Sequence, residues 1–440
     1  MSEGEAPGTT ASAGRQSKSA GPPVQAAPVR SQPANSSGPR RVVITGAGTV
    51  NALGLDVPST LAAFREGTCG ITPLNFRDVD RLTIRIGAQI HDWRPETWFS
   101  RQQILLYDKF TQFALLAARE AVAQSGLAFD GELGLASGVV MGTAGGGLHT
   151  SDENYRAVYE EGKNRVHPLV VPRLMHNAAA SHLSMEFGLR GPAFTVSSAC
   201  ASSNHAMGLA FQMIRSGGAR VMLTGGSESM LCFGGVKAWE GLRVLSPDAC
   251  RPFSANRNGM VQGEGGAVFV FEEYEHARAR GAEILAEVAG FAMTADAEDI
   301  VMPSAGGAGR AIAGAMQDAG LNPDQIGYIN AHGTGTAAND RTETAAVIHA
   351  FGDHADRLMI SSTKSMHGHV IGGTGAVELL ACIMALRDGV IAPTIGYQQP
   401  DPECGLDVVA NAARDARVDA VLSNAFAFGG LNAVLALKRV

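Results

Sequence analysis

The chain has 440 residues, of which 45% are hydrophobic, 18% are charged and 54 are glycine. This composition excludes a disordered, collagenous or simple coiled-coil protein and indicates a globular chain of two or three domains, a size that favours an enzyme. With 35 Lys and Arg residues against 42 Asp and Glu residues, the net charge is −7, so the basic surface of a nucleic-acid-binding protein is not expected.

The six cysteines are widely scattered and form no C-x-x-C pair; they are Cys69, Cys200, Cys232, Cys250, Cys382 and Cys404. This spacing argues against a disulfide framework or a structural metal site and fits a reducing cytoplasm. No apolar run approaches the ~18 residues that a membrane-spanning helix needs, and the N-terminus lacks the apolar core of a signal peptide. The sequence therefore predicts a soluble cytoplasmic protein that contacts no membrane.

Residues 1–40 hold six of the 19 prolines and seven serines but few large aliphatic side chains. Such a segment cannot bury enough surface to offset its chain entropy, which predicts a disordered tail. Glu3 and Glu5 argue against an organellar transit peptide, which is poor in acidic residues. Order is expected to begin near Arg41.

From that point, short apolar runs alternate with segments of helical period, which predicts an α/β protein. In the first half the predicted elements are, in chain order, a strand at 42–45, a helix at 108–125, strands at 139–141, 194–196, 221–223 and 267–271, and a helix at 274–280.

The second half repeats this rhythm. Its predicted elements are a helix at 308–319, a strand at 326–330, a helix at 342–351, a strand at 358–361, a helix at 375–388 and strands at 420–422 and 433–437. We interpret the two halves, 41–290 and 291–440, as products of a duplication with the site between them, although no clean residue-level repeat is present.

Two glycine-rich stretches imitate nucleotide-binding motifs. VVITGAGTVN has Asn51 where the dinucleotide fingerprint needs its third glycine, so we interpret it as a strand followed by a tight glycine turn. The stretch from Gly142 to Gly147 lacks the Lys and Ser/Thr of a phosphate-binding loop. Neither stretch predicts a nucleotide cofactor.

Cys200 is the strongest candidate for a reactive group. In FTVSSACASSNHAMG, a β-rich run turns through small residues into a segment of helical period, which places Cys200 at or near a helix N-terminus. Unpaired amides and the helix dipole favour a thiolate there, and small neighbours keep the sulfur accessible. The alternative is that Cys200 is a small core residue.

Two glycine loops carry histidines. His332 lies in YINAHGTGT after a predicted strand, and Lys364, His367 and His369 lie in SSTKSMHGH after another. A cysteine with two distant histidines suits thioester chemistry, because the thiolate holds an acyl group and the imidazoles stabilise the developing oxyanion. A metal-dependent hydrolase is the alternative, with ligands drawn from His332, Asp340, Glu343, His367 and His369.

Five segments carry a resemblance to a known family. SSACASS around Cys200, NAHGTGT around His332, STKSMHGH around Lys364 and His369, SNAFAFGG near the C-terminus and RPFSANRNGMVQGEGG from Arg251 resemble the elongating type II β-ketoacyl-acyl-carrier-protein synthases. The resemblance covers residues 41–440. It implies the thiolase fold, with two duplicated αβαβα halves that form a five-layered core. It also implies an acyltransferase that condenses a cysteine-bound acyl group with malonyl-acyl carrier protein, with loss of carbon dioxide.

The resemblance also assigns roles to individual residues. Cys200 matches the nucleophile, His332 and His369 match the decarboxylation and enolate-stabilising histidines, and Lys364 matches a lysine that supports them electrostatically. The backbone amides of Cys200 and Phe428 would form the oxyanion hole.

Further matches concern the substrate and the assembly. Phe428 would gate an acyl pocket that Trp239 also lines, Thr334 and Thr336 match residues that touch the phosphopantetheine arm, and Asp340 and Glu343 are taken as supporting residues. The resemblance implies no cofactor beyond that arm, acyl carrier protein as partner, and a homodimer or a heterodimer with a chain-length-factor-like subunit.

Several positions depart from the common family pattern without removing a catalytic group: Ser254, Asn258, His367, Leu431 and Trp239. Together with the MHGH and AFGGLN sequences, they resemble nodulation-type or polyene-forming synthases, so the acyl substrate stays open. A non-catalytic partner subunit and a coenzyme A-dependent thiolase remain alternatives.

Overall fold

The core of the protein is an eleven-stranded sheet whose two halves enclose a shared layer of helices, and the computed structural model describes residues 38–440. The tail predicted for residues 1–40 lies outside these residues except for its last three. Among residues 38–440, no helix is both long and apolar enough to cross a bilayer.

Fifteen strands occur in residues 38–440: β1 Val42–Asn51, β2 Thr72–Pro73, β3 Ile86–Gly87, β4 Ser137–Gly142, β5 Ala193–Val196, β6 Val221–Glu228, β7 Gly265–Glu273, β8 Ala286–Ala295, β9 Tyr328–Asn330, β10 Met359–Ser361, β11 Val390–Ile391, β12 Asp407–Val408, β13 Arg414–Asp415, β14 Ala420–Ala427 and β15 Leu431–Lys438.

The same residues form fourteen α-helices: α1 Val57–Glu66, α2 Arg101–Leu106, α3 Lys109–Ser125, α4 Gly131–Leu135, α5 Leu148–Tyr159, α6 Val170–Leu174, α7 Ala178–Phe187, α8 Ser202–Arg215, α9 Phe233–Gly241, α10 Tyr274–Ala279, α11 Ala305–Ala319, α12 Ala337–Phe351, α13 Lys364–His367 and α14 Thr374–Asp388.

The sheet repeats one topology twice. Its order is β12-β10-β9-β14-β15-β8-β1-β7-β6-β4-β5. The five main strands are β1, β4, β5, β6 and β7 in the first half and β8, β9, β10, β14 and β15 in the second. Numbered along the chain, each set lies across the sheet in the order third, second, fourth, fifth, first. The third, second and fourth strands are parallel to one another, and the fourth, fifth and first strands pair antiparallel. The halves meet where β1 pairs with β8 over three residues. This repetition confirms the predicted duplication of an αβαβα unit.

The helices complete the five layers. α3 and α7 cover the first half, α11 and α12 cover the second, and α8 and α14 lie between them, where each contacts strands of both halves. In α14 every residue from 374 to 386 is buried, as expected for a helix that is apolar on all sides and packed within a core. The central layer is therefore shared by the two halves.

Most predicted elements are found and most have longer bounds than predicted, but α3, α10, β9 and β10 are shorter by one or two residues. The helix predicted for 108–125 is α3, in which the Asp108 carboxylate accepts a hydrogen bond from the amide of Phe110 and Gly126 ends the helix in the left-handed conformation. The predicted division after residue 290 falls inside β8, and the position of the domain boundary stays a prediction.

The glycine turn predicted after β1 is wrong, because the strand continues through Gly46 and Gly48 to Asn51. A side chain at Gly46 would put Cβ 2.1 Å from the carbonyl oxygen of Ala121, and one at Gly48 would put it 1.9 Å from that of Ala117. These glycines therefore allow α3 to pack against the strand rather than bend the chain.

We expect Gly48→Ala to lower the free energy of unfolding by about 1–3 kcal/mol, because the added methyl group must displace the α3 backbone. Chemical denaturation followed by circular dichroism measures this change. Gly306→Ala is the matched control, since Gly306 is exposed in α11 and its added Cβ would come no nearer than 3.7 Å to another group. Equal stability of the two variants would contradict this account of β1.

Candidate functional site

A cleft of about 170 Å³ opens between loops of the two halves. It is lined mainly by apolar side chains, with a thiol, two imidazoles and two hydroxyl groups among them. The lining residues are Cys200, Val244, Met260, Val301, Met302, Pro303, His332, Thr334, Thr336, Ala338, Asn339, His369, Phe426, Ala427 and Phe428.

Cys200 lies in a 3₁₀ turn, Ala199–Ala201, between β5 and α8. Ala199 has a φ of 49°, a left-handed conformation that non-glycine residues rarely adopt. The hydroxyl of Ser202 accepts a hydrogen bond from the amide of Ser198 and donates one to the carbonyl of Ala199. These bonds hold the sharp turn that places the thiol at the start of the helix, where the sequence predicts it.

The expectation that Cys200 rests as a thiolate is wrong. The side chain is only 4% exposed, and burial raises the pKa of its thiol to about 12, although the Lys364 charge and hydrogen bonds from the amides of Cys200 and Phe428 act in the opposite direction. Desolvation thus outweighs the Lys364 charge and the two amide hydrogen bonds. The two amides that reach the sulfur are those predicted for the oxyanion hole.

His332 follows β9 in a loop that two acidic side chains of α12 hold in place. The Glu343 carboxylate accepts hydrogen bonds from the amides of His332 (2.8 Å) and Gly333 (2.7 Å). Asp340 accepts hydrogen bonds from the amides of Gly335 (3.2 Å) and Phe253 (2.8 Å). Both acids therefore anchor the loop backbone, which leaves the imidazole free to face the cleft.

His369 has one ring nitrogen fixed by the backbone. Its Nδ1 accepts a hydrogen bond of 3.0 Å from the amide of Ile371, so in the neutral ring the proton is carried by Nε2. That nitrogen is buried and has no partner among the described residues. His369 thus offers one N–H donor without a partner.

Cys200, His332 and His369 converge, although they are far apart in sequence. One Sγ or ring nitrogen from each lies within 4.8 Å of those of the other two, and the two imidazole rings meet edge to face at 5.5 Å between centroids. Burial and the Lys364 charge lower the pKa of each imidazole well below its usual value, and a further histidine adds to each shift: His369 acts on His332, and His367 acts on His369. At neutral pH both rings are therefore uncharged.

Lys364 is the buried cation of the site. Its Nζ lies 2.5 Å from a carboxylate oxygen of Glu378, and neither side chain is exposed. Burial raises the pKa of Glu378 to about 7, and the contact with Lys364 opposes this shift. Glu378 was not predicted from the sequence, although it is the one acidic residue within the apolar stretch of α14 before Arg387.

The predicted gate and the residues predicted to bind the substrate arm lie on the walls of the cleft. The ring of Phe428 lines the cleft and stacks on Trp239 at 6.0 Å between centroids. Trp239, predicted to line the acyl pocket, does not line the cleft. It contacts the cleft wall through the ring of Phe428. The hydroxyl groups of Thr334 and Thr336 lie 2.9 Å apart on the wall next to His332.

The metal-ligand set considered for a hydrolase is not brought together. The Nε2 atom of His367 pairs with the hydroxyl of Thr363 at 2.9 Å, and its ring packs on Phe64, while Asp340 and Glu343 bind backbone amides. In residues 38–440 the one group of potential metal ligands is Cys200 with His332 and His369, and the nearby Lys364 charge would oppose a bound cation.

A second turn mirrors the one that holds Cys200. Ile371–Gly373 leads into α14 as Ala199–Ala201 leads into α8, and Ile371 has a φ of 45°. Gly372 thus occupies the place that Cys200 has in the first half. This correspondence is not visible in the sequence, because the two turns share no residue pattern.

Comparisons with known proteins agree over most of the chain. Residues 39–277 match the family model of the beta-ketoacyl synthase N-terminal domain, and residues 285–398 match that of the C-terminal domain. The chain is 49% identical over 401 residues to nodulation protein E of Rhizobium sp. (strain N33), which covers 91% of this chain and the whole relative.

Two further proteins extend these matches. The chain is 38% identical to 3-oxoacyl-[acyl-carrier-protein] synthase 2 of Synechocystis sp. over 91% of its length and 98% of the relative. The solved structure of the ishigamide ketosynthase/chain length factor superposes with a TM-score of 0.87 at 35% identity, covering 91% of this chain and all of that chain.

We expect alkylation of Cys200 by iodoacetamide to accelerate about tenfold per pH unit up to pH 10 without a plateau, because the reactive thiolate is a minor species at each pH below 12. Peptide mass spectrometry of the Cys69→Ser protein measures the rate at Cys200 without interference from the exposed Cys69. A plateau near pH 7 would contradict a protonated resting thiol.

Proposed function

Because this chain belongs to the beta-ketoacyl synthase family, we propose that it is a 3-oxoacyl-[acyl-carrier-protein] synthase that performs a decarboxylative Claisen condensation. The observation that carries the proposal is the convergence of Cys200, His332 and His369 within 4.8 Å at a cleft where two backbone amides reach the sulfur. An acyl-transfer site needs a nucleophile, an oxyanion hole and a proton carrier, and all three kinds of group are present.

In the first half-reaction, Sγ of Cys200 attacks the thioester carbonyl of an acyl-acyl carrier protein. The negative oxygen of the tetrahedral intermediate is stabilised by the amides of Cys200 and Phe428. His332 takes the thiol proton, since its Nδ1 has no hydrogen-bond partner among residues 38–440, and returns it to the pantetheine thiol that leaves. The acyl group is then held as a thioester on Cys200.

In the second half-reaction, malonyl-acyl carrier protein enters the vacated cleft. Nε2–H of His369 donates a hydrogen bond to its thioester oxygen, and a neutral His332 supplies a second. Loss of carbon dioxide leaves the electron pair on the enolate, which attacks the acyl carbon on Cys200. The C–S bond breaks, a proton restores the Cys200 thiol, and 3-oxoacyl-acyl carrier protein leaves.

Neutral histidines fit the order in which charge develops during this reaction. A buried imidazolium would bind the malonyl carboxylate tightly before carbon dioxide leaves, whereas a neutral N–H donor gains most of its strength as the enolate oxygen becomes negative. Burial and the Lys364 charge keep the imidazoles neutral, and that charge, paired with Glu378, favours the enolate oxygen over longer range. The high thiol pKa favours return of the proton to Cys200 after condensation.

The substrates and partners follow from the same site. We assign the hydroxyls of Thr334 and Thr336 to the phosphopantetheine arm of acyl carrier protein, and no further cofactor enters the reaction. The heteromeric ketosynthase/chain length factor supports a heterodimer with a chain-length-factor-like subunit, and a homodimer is the alternative. All six cysteines are free, which supports a cytoplasmic location.

We expect Cys200→Ala to abolish condensation while malonyl decarboxylation continues, because His332 and His369 still bind the malonyl thioester. His332→Ala and His369→Ala should lose decarboxylation by about 10²-fold or more while some acylation of Cys200 survives. Intact-protein mass spectrometry with acyl- and malonyl-acyl carrier protein follows the acyl-enzyme, and released carbon dioxide reports decarboxylation.

His349→Ala is the control, since that histidine is exposed on α12. Condensation by Cys200→Ala at the normal rate would refute the assignment. Failure of the native protein to form any acyl-enzyme would favour a non-catalytic partner subunit. Acylation by coenzyme A thioesters alone would favour a thiolase, and activity lost to a chelator with stoichiometric zinc would favour a metal hydrolase.

A further inference from the structure

Glu228, at the end of β6, is a fully buried acid that the proposed reaction does not use. Its carboxylate accepts hydrogen bonds from three backbone amides, those of Ala144 (2.7 Å), Gly145 (3.2 Å) and Gly372 (3.3 Å), and from the hydroxyl of Thr143 (3.1 Å). Every donor is a neutral group, and three of the four belong to the backbone.

The cost of burying this acid indicates that its contacts matter. No basic side chain within residues 38–440 forms an ion pair with Glu228, and burial raises its pKa to about 7 even though all four hydrogen bonds act in the opposite direction. An apolar side chain would avoid this cost. The carboxylate is the group that can satisfy several converging N–H donors at once.

Two of the segments that Glu228 joins come from different halves of the chain. One is the loop after β4, residues 143–145. The other is the turn Ile371–Gly373, where a Cβ on Gly372 would lie 2.4 Å from the amide nitrogen of Ala144 and 2.7 Å from the Glu228 carboxylate. No side chain fits between the segments, so their spacing is set by Glu228 and by backbone contact.

The backbone N–H and C=O groups of Gly372 are both hydrogen-bonded. Its N–H donates to Glu228, and its carbonyl accepts a hydrogen bond from the hydroxyl of Ser203, which lies on α8 three residues after Cys200. The neighbouring amide, that of Ile371, donates to Nδ1 of His369. A shift of the Gly372 peptide would therefore move the hydrogen bond that fixes the His369 tautomer.

We propose that Glu228 is a positioning residue for decarboxylation, which holds the Ile371–Gly373 turn so that His369 presents Nε2–H to the malonyl thioester. This inference rests on the proposed function and extends it to a residue outside the cleft. Acylation of Cys200 depends on the amides of Cys200 and Phe428, which Glu228 does not contact. The two half-reactions should therefore respond differently to its loss.

The test compares Glu228→Gln with the native protein in three measurements: acylation of Cys200, malonyl decarboxylation and the ring-nitrogen spectrum of 15N-histidine-labelled protein. An amide offers one acceptor oxygen where the carboxylate offers two, so donors lose partners and the turn relaxes. We expect decarboxylation to fall by about 10²-fold, acylation to change little, and His369 to populate both neutral tautomers. The His369→Gln spectrum identifies its resonances.

Glu228→Asp keeps a carboxylate on a shorter side chain. In this variant we expect a smaller fall in decarboxylation, again with acylation little changed. This second variant keeps the test decisive if Glu228→Gln does not fold. Glu272→Gln is the control, because Glu272 is an equally buried acid that binds Thr45 and Arg280 instead. The Glu272→Gln variant should have a lower thermal stability, with acylation and decarboxylation changed to the same extent.

A parallel fall of both half-reactions, or an unchanged His369 tautomer in both Glu228 variants, would overturn the inference and leave a merely structural role. Absence of both half-reactions in the native protein would instead contradict the proposed function. In that case the nitrogen spectrum alone decides whether Glu228 sets the His369 tautomer.

Discussion

The cost of burying charge is the constraint on which the whole site depends. Cys200, His332 and His369 lie together where water is largely excluded, and burial drives each towards its neutral form. The one buried cation beside them, Lys364, is paired with Glu378. In the proposed reaction, negative charge develops on oxygens that two backbone amides and the Nε2–H of His369 are already placed to meet, so little reorganisation is needed when it forms.

The duplicated sheet explains how residues so distant in sequence come together. His332, His369 and Phe428 all follow the carboxyl ends of strands in the second half, and those strands, β9, β10 and β14, are parallel neighbours. Parallel strands present their following loops at one edge of the sheet, where ligands commonly bind. Cys200 follows β5 in the first half and reaches the same place because α8 lies in the shared central layer.

Local sequence signals were sufficient for some features and not for others. The bounds of α3 follow from Asp108 and Gly126, and the small residues around Cys200 predict its turn, since these effects act within a few residues. The path of β1 through Gly46 and Gly48 depends on α3 more than 60 residues away. The thiol pKa likewise depends on enclosure by the second half, and the partners of Glu228 include an amide 144 residues away. These long-range effects leave no pattern in the sequence around each residue.

The correspondence between Cys200 and Gly372 bears on how such a site could arise. Two identical halves related by a two-fold axis would carry the same residue in both turns, so a thiol in one would require a thiol in the other. Close packing at Gly372 leaves no room for any side chain. Joining the halves in one chain removes that symmetry, so one turn can carry the proposed nucleophile while the corresponding turn has only backbone at that position.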